Sequence, residues 1–94
     1  MTISTGKAIV ILQADITGST GSTDSFMSFA VSGATTLAAS DARSITVHGN
    51  ATTTVTKTFL VTGLTNGSNT FTAKYRSTVT GTFANRILIV HPAN

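Results

Sequence analysis

Apolar side chains recur at every second position through most of this chain, and hydroxyl-bearing residues fill many of the positions between them. From Lys7 to Thr17, the residues Ala8, Val10, Leu12, Ala14 and Ile16 share one side of an extended backbone. From Thr53 to Thr62, Val55, Phe59 and Val61 point one way while Thr54, Thr56, Thr58 and Thr62 point the other. Period two is the signature of a β-strand, whose successive side chains lie on opposite faces. Thr and Ser make up about a third of the residues and Glu is absent. Threonine suits a pleated, half-buried surface because its branched Cβ packs there while its hydroxyl meets water. These features predict an all-β chain with a hydroxyl-covered exterior, an inert surface module rather than a catalyst.

Turn residues divide the alternation into short strands. The first, Lys7 to Thr17, also carries Ile9 and Ile11 on its second face, so its first half is expected to be buried on both sides. A Gly/Ser/Thr loop follows over 17–25, then a strand from Phe26 to Val31 stopped by Ser32-Gly33. Ala34 to Ser40 reads as a small-residue strand or link, with Asp41 starting a tight turn. Arg43 to His48 and Thr53 to Thr62 are the next strands, the latter interrupted by Lys57 on its apolar face and Leu60 on its polar one. Asn66-Gly67 is a strong hairpin signal. Asn69 to Arg76 then places Phe71, Ala73 and Tyr75 inward and Thr70, Thr72, Lys74 and Arg76 outward. Thr78 to Phe83, broken by Gly81, and Arg86 to Val90, stopped by Pro92, complete the set. Seven or eight short strands without a helix predict an antiparallel β-sandwich of jelly-roll type.

Ninety-four residues make one domain, spanning 1–94, too small for a second core. With no cysteine, neither a disulfide nor a thiolate metal site can brace it. Small unstapled β-domains recover stability by oligomerising, so self-association into a closed ring, a trimer, is expected. The net charge of +3 comes from six scattered cations and three Asp. No dense basic stripe with interleaved aromatics marks a nucleic-acid binder, and no apolar run is long enough to insert into a membrane.

The chemistry-bearing residues are few. Asp15, Asp24 and Asp41 are the only acidic side chains, and no spacing favours two of them as an acid–base pair; Asp24 and Asp41 read as turn residues. His48 and His91 sit at strand ends, with neither H-x-H nor H-E-x-x-H spacing for a metal. Phosphate-loop motifs are absent. No catalytic, cofactor or metal residue is assigned. All five Phe fit core positions by parity, whereas Tyr75 needs a partner for its hydroxyl if buried. Arg86, ahead of a fully apolar strand, is expected to pair with Asp15 or Asp41 or to cross a subunit interface. Tyr75, Lys74 and Arg86 are therefore the candidate contact residues.

Several stretches in order resemble a C-terminal β-sandwich module of tailed-bacteriophage structural proteins, chiefly tail-fibre and minor-tail proteins. They are Gly6 to Leu12, Met27 to Thr36, Ala38 to Asp41, Thr58 to Thr65, Gly67 to Arg76, and Thr82 to Arg86 with the Ile87 to Pro92 tail. Members of that family hang from a longer fibre, whereas this chain opens almost on the match. The resemblance implies a non-enzymatic virion-surface protein that decorates or braces the capsid, or caps a short fibre, in contact with other virion proteins. The rival expectation is a host-surface adhesin or carbohydrate-binding module in which Tyr75, Lys74 and the polar loops meet a glycan. A weaker likeness to fibronectin-type and immunoglobulin-type sandwiches lies in Leu64 to Phe71, where Phe71 stands in place of the corner tyrosine.

Overall fold

The computed structural model describes residues 1–93. Its strands are β1 (Thr2–Ile3), β2 (Ala8–Gly18), β3 (Asp24–Gly33), β4 (Ile45–His48), β5 (Thr53–Val61), β6 (Gly67–Ser77) and β7 (Gly81–Pro92). They form a four-stranded sheet in the order β1-β6-β3-β4 and a three-stranded sheet in the order β5-β2-β7. Every pairing is antiparallel. The architecture is the expected β-sandwich. Its seven strands divide four and three between the sheets; β2 pairs with β5 while β3 pairs with β6, so consecutive strands repeatedly change sheet.

The core is built from the alternation that the sequence displays. Ala8, Val10, Leu12, Ala14 and Ile16 of β2 are all fully buried, facing Met27, Phe29 and Val31 of β3. Phe29 lies at the centre, its ring 6.0 Å from that of Phe59 on β5 and 6.2 Å from that of Phe71 on β6. These tilted pairings join both sheets around one aromatic cluster. Lys57 shares the inward register opposite Leu12, but β5 is an edge strand. Its side chain escapes sideways, with Nζ 5.2 Å from the Phe59 ring centroid.

Several expectations change in tertiary context. The second face of β2 is not covered: Ile9 and Ile11 are half-buried on the outer surface of the three-stranded sheet. Asn66-Gly67 does not close a hairpin, because β5 and β6 belong to different sheets. There the Asn66 side chain accepts from the Gly6 backbone N–H at 2.8 Å. The buried Asn69 amide donates to the Thr65 and Gly67 carbonyls, fixing the crossing. Residues 78–80 are a turn rather than a strand, since Thr78 exchanges hydrogen bonds with the Asp24 backbone. Phe83 and the apolar run after Arg86 instead belong to one long strand, β7, with a register shift opposite Ala14. The 34–44 link contains a bridge from Leu37 to Val31 and a single 3₁₀ turn, Asp41–Arg43, capped by Ser40.

Gly33 ends β3 at φ 93°, and a Cβ there would lie 2.6 Å from the Ser68 carbonyl oxygen. Both the conformation and the space require glycine. Gly33→Ala should therefore destabilise the fold by more than the ~0.4–1 kcal/mol by which the same change stabilises a site of compatible conformation. Phe29→Ala should cost about 3–5 kcal/mol, read as a fall in urea midpoint at unchanged slope. A loss under about 1 kcal/mol for Phe29→Ala would place the structural centre elsewhere.

Candidate functional site

Each of the three carboxylates is engaged with a different partner. On the outer face of the three-stranded sheet, Asp15 stands opposite Thr54 of β5 and Ala84 of β7. Thr54 Oγ1 donates to Asp15 Oδ1 at 2.5 Å, and Asn85 Nδ2 donates to Oδ2 at 2.7 Å. The Thr54 bond, and secondarily the Asn85 bond, stabilise the carboxylate and hold Asp15 below its ordinary value of 3.8, against a smaller opposing effect of burial. At one end of the four-stranded sheet, paired residues Asp24 and His48 meet at 2.6 Å through Oδ1 and Nδ1, both solvent-exposed. In the loop before β4, Asp41 receives Nε and an Nη of Arg76 at 3.3 and 2.5 Å. The same guanidinium lies 4.2 Å above the centre of the Phe26 ring. Among the described residues, no three His, Asp or Glu side chains gather as a metal-binding group.

Arg86 does not form the expected ion pair. Asp15 pairs with Ala84 and Gln13 with Ile87, leaving Asn85 and Arg86 together opposite Ala14. This is a β-bulge, and Asn85 adopts φ 50°, which asparagine tolerates better than most residues. The bulge delivers the Asn85 amide to Asp15 and turns Arg86 toward the other face. There its guanidinium lies 5.3 Å from the Tyr75 ring centroid. Tyr75 in turn packs on Phe83 at 5.0 Å. The signal for this arrangement was an Asn directly before the Arg, but only strand pairing reveals which carboxylate the amide meets.

Lys74 and Tyr75 are neighbours in β6 and start from opposite sides of the sheet, Lys74 opposite Ser28 and Tyr75 opposite Met27. Both nevertheless border a groove of about 470 Å³ between the 34–44 link and the outer row of β6. Phe26, Ser28 and Ala30 form its floor, and the Asp41–Arg76 pair closes one end. The link is pinned there by the Ser28 hydroxyl, which donates to the Arg43 carbonyl at 2.6 Å.

The largest departure from a hydroxyl-coated exterior is an apolar stripe on the outer face of the three-stranded sheet. Register aligns Leu60, Ile9 and His91 in one row, Thr58, Ile11 and Ile89 in the next, then Thr56, Gln13 and Ile87. Leu60 is 65% exposed, and Ile87 and Ile89 about 40%. Further along, the same face turns polar: Thr56 donates to the Gln13 side chain and Thr54 to Asp15. The parity of Ile9 and Ile11, and the intrusion of Leu60 into a polar face, mark this stripe in the sequence. Without the layer order they read equally well as burial.

Comparison with known proteins gives no match to any family model, curated protein or solved structure.

The Asp15 carboxyl is more acidic folded than unfolded, so its stabilising contribution is complete above its ordinary value and disappears as pH falls through the lower folded value. Thermal melts from neutral pH to below 3.8 should show a smaller acid-side loss for Asp15→Asn than for the parent. Equal losses in both would mean that the Thr54 and Asn85 bonds do not favour the ionised form.

Proposed function

We propose that this chain is a non-enzymatic structural module of a tailed-bacteriophage particle, a self-associating β-sandwich that decorates or braces the capsid or caps a short fibre. The observation that carries this reading is the apolar stripe of Leu60, Ile9, Ile11, Ile87 and Ile89 on an otherwise hydroxyl-rich sheet face. Contiguous exposed apolar surface bordered by polar residues marks protein contact. Each carboxylate, by contrast, is occupied by a hydroxyl, amide, imidazole or guanidinium partner. A stiff, hydroxyl-covered sandwich with one adhesive face is suited to bracing an assembly. The phage setting is supported by the ordered sequence resemblance from Gly6 to Pro92.

A second reading, adhesion to a host glycan, is favoured by the groove beside Lys74. Its small-residue floor and bordering Lys74, Asp41 and Arg76 offer both packing surface and hydrogen-bonding groups. On a glycan array this reading requires dose-dependent binding that Lys74→Ala and Tyr75→Ala, both at the border of this groove, each weaken. Under the structural reading the array is blank.

The direct test is imaging of intact particles carrying the tagged chain. The expected result is ordered density on the shell or tail surface. Purified particles lacking the chain would overturn the assignment. In isolation, the chain at micromolar concentration should sediment above monomer mass.

A further inference from the structure

The two sheets have four edge strands, β1, β4, β5 and β7, and β6 is left open beyond the short β1; all but β7 are visibly protected. β1 contributes only two residues, and β4 only four. β5 is threonine-rich and carries Lys57 at its middle. β6 is covered at its start by β1, and its outward row beyond that point includes Lys74 and Arg76. Short length and edge cations are the usual devices that prevent sheets from joining. β7 has neither. It runs for twelve residues, and between Arg86 and His91 it reads Ile-Leu-Ile-Val without a charge. The bulge at Asn85–Arg86 breaks the first half of this edge, leaving the segment from Ile87 onward straight.

We infer that a second copy of this chain covers the β7 edge, pairing β7 with its partner's β7 antiparallel about a two-fold axis at Leu88. The inference rests on the self-association proposed above and assigns it a surface. Antiparallel pairing about a two-fold sets a residue opposite its own copy, and centring on Leu88 sets Ile87 opposite the partner subunit's Ile89. Both are about 40% exposed in the single chain and lie on the same sheet face. This register buries each exposed isoleucine against another, whereas centring on Ile89 would set Ile87 against an imidazole. Arg86 then faces an apolar Val90 rather than another cation.

The inward side of the edge is also incomplete. Leu88 and Val90, with Phe71 and Met1, line an open groove between β7 and β6. Their counterparts on β2, Leu12 and Val10, are fully buried. Pairing at Leu88 brings a second Leu88 to this layer and joins two three-stranded sheets into one of six. In this register residues 84–92 of the two copies overlap, about 30 Å of edge at ~3.4 Å per residue. With the 19 Å width of the molecule this sets on the order of 500–600 Å² from each partner, the low end of specific interfaces and in keeping with micromolar association. The association is a dimer at its smallest unit, in place of the trimer expected from size alone.

Sedimentation of three chains, each checked by circular dichroism for an unchanged β spectrum, tests this register. The parent chain should be dimeric at micromolar concentration. Ile87→Lys with Ile89→Lys opposes like charges twice across the axis and should weaken the dimer at least about tenfold. Ile87→Lys with Ile89→Glu sets each ammonium opposite a carboxylate and should restore it. A monomeric parent overturns the self-association itself. A dimer that survives the two lysines leaves self-association standing but removes it from this edge. Failure of the Lys/Glu chain to recover, after loss in the Lys/Lys chain, overturns the two-fold register.

Discussion

The structure depends on the packing of β2 against β3. β2 is the central strand of its sheet, hydrogen-bonded on both sides, and alternate residues from Ala8 to Ile16 are sealed against Met27, Phe29 and Val31. A slip of one residue would exchange this buried row for Ile9, Ile11, Gln13, Asp15 and Thr17. Such a slip would place a carboxylate and an amide in the core without partners, so the register is strongly specified. Phe29 then extends the constraint outward, since its contacts with Phe59 and Phe71 fix where β5 and β6 lie.

The outer face of β2 shows the same strand serving a different end. Its polar half is held by Thr56 on Gln13 and by Thr54 and Asn85 on Asp15, which cross-link all three strands of the sheet. The apolar half has no such internal partners and remains at the surface. A face that is hydrogen-bonded at one end and apolar at the other differs from a uniform coat of hydroxyls. The split follows from the order of residues along one strand, and the bulge in β7 sharpens it by supplying Asn85 only at the polar end.

Edge protection gives the same polarity to the molecule as a whole. Lys57 on β5 and Lys74 with Arg76 on β6 place cations where sheet growth would otherwise occur, while the shortness of β1 and β4 limits what they can template. β7 alone combines length with an uncharged apolar run. Arg86 fits this scheme as a flanking cation stacked on Tyr75, at the point where the regular part of β7 begins.

Strand identity and facing were legible from the chain alone, because alternation is a local property that each residue displays beside its neighbours. The buried row of β2, the inward set Phe71, Ala73 and Tyr75, and the opposite placement of Lys74 all follow from parity. The all-β sandwich follows from that pattern and from turn residues at short intervals. Tertiary structure alone decided which strands share a sheet, because pairing joins positions dozens of residues apart and several partners offer equivalent apolar rows. It therefore decided that Asn66-Gly67 spans two sheets, that Asp15 meets Asn85 while Arg86 stacks on Tyr75, and that Ile9 and Ile11 stay at the surface. Covering those isoleucines needs a third layer, and the two sheets pack only on each other's inner faces.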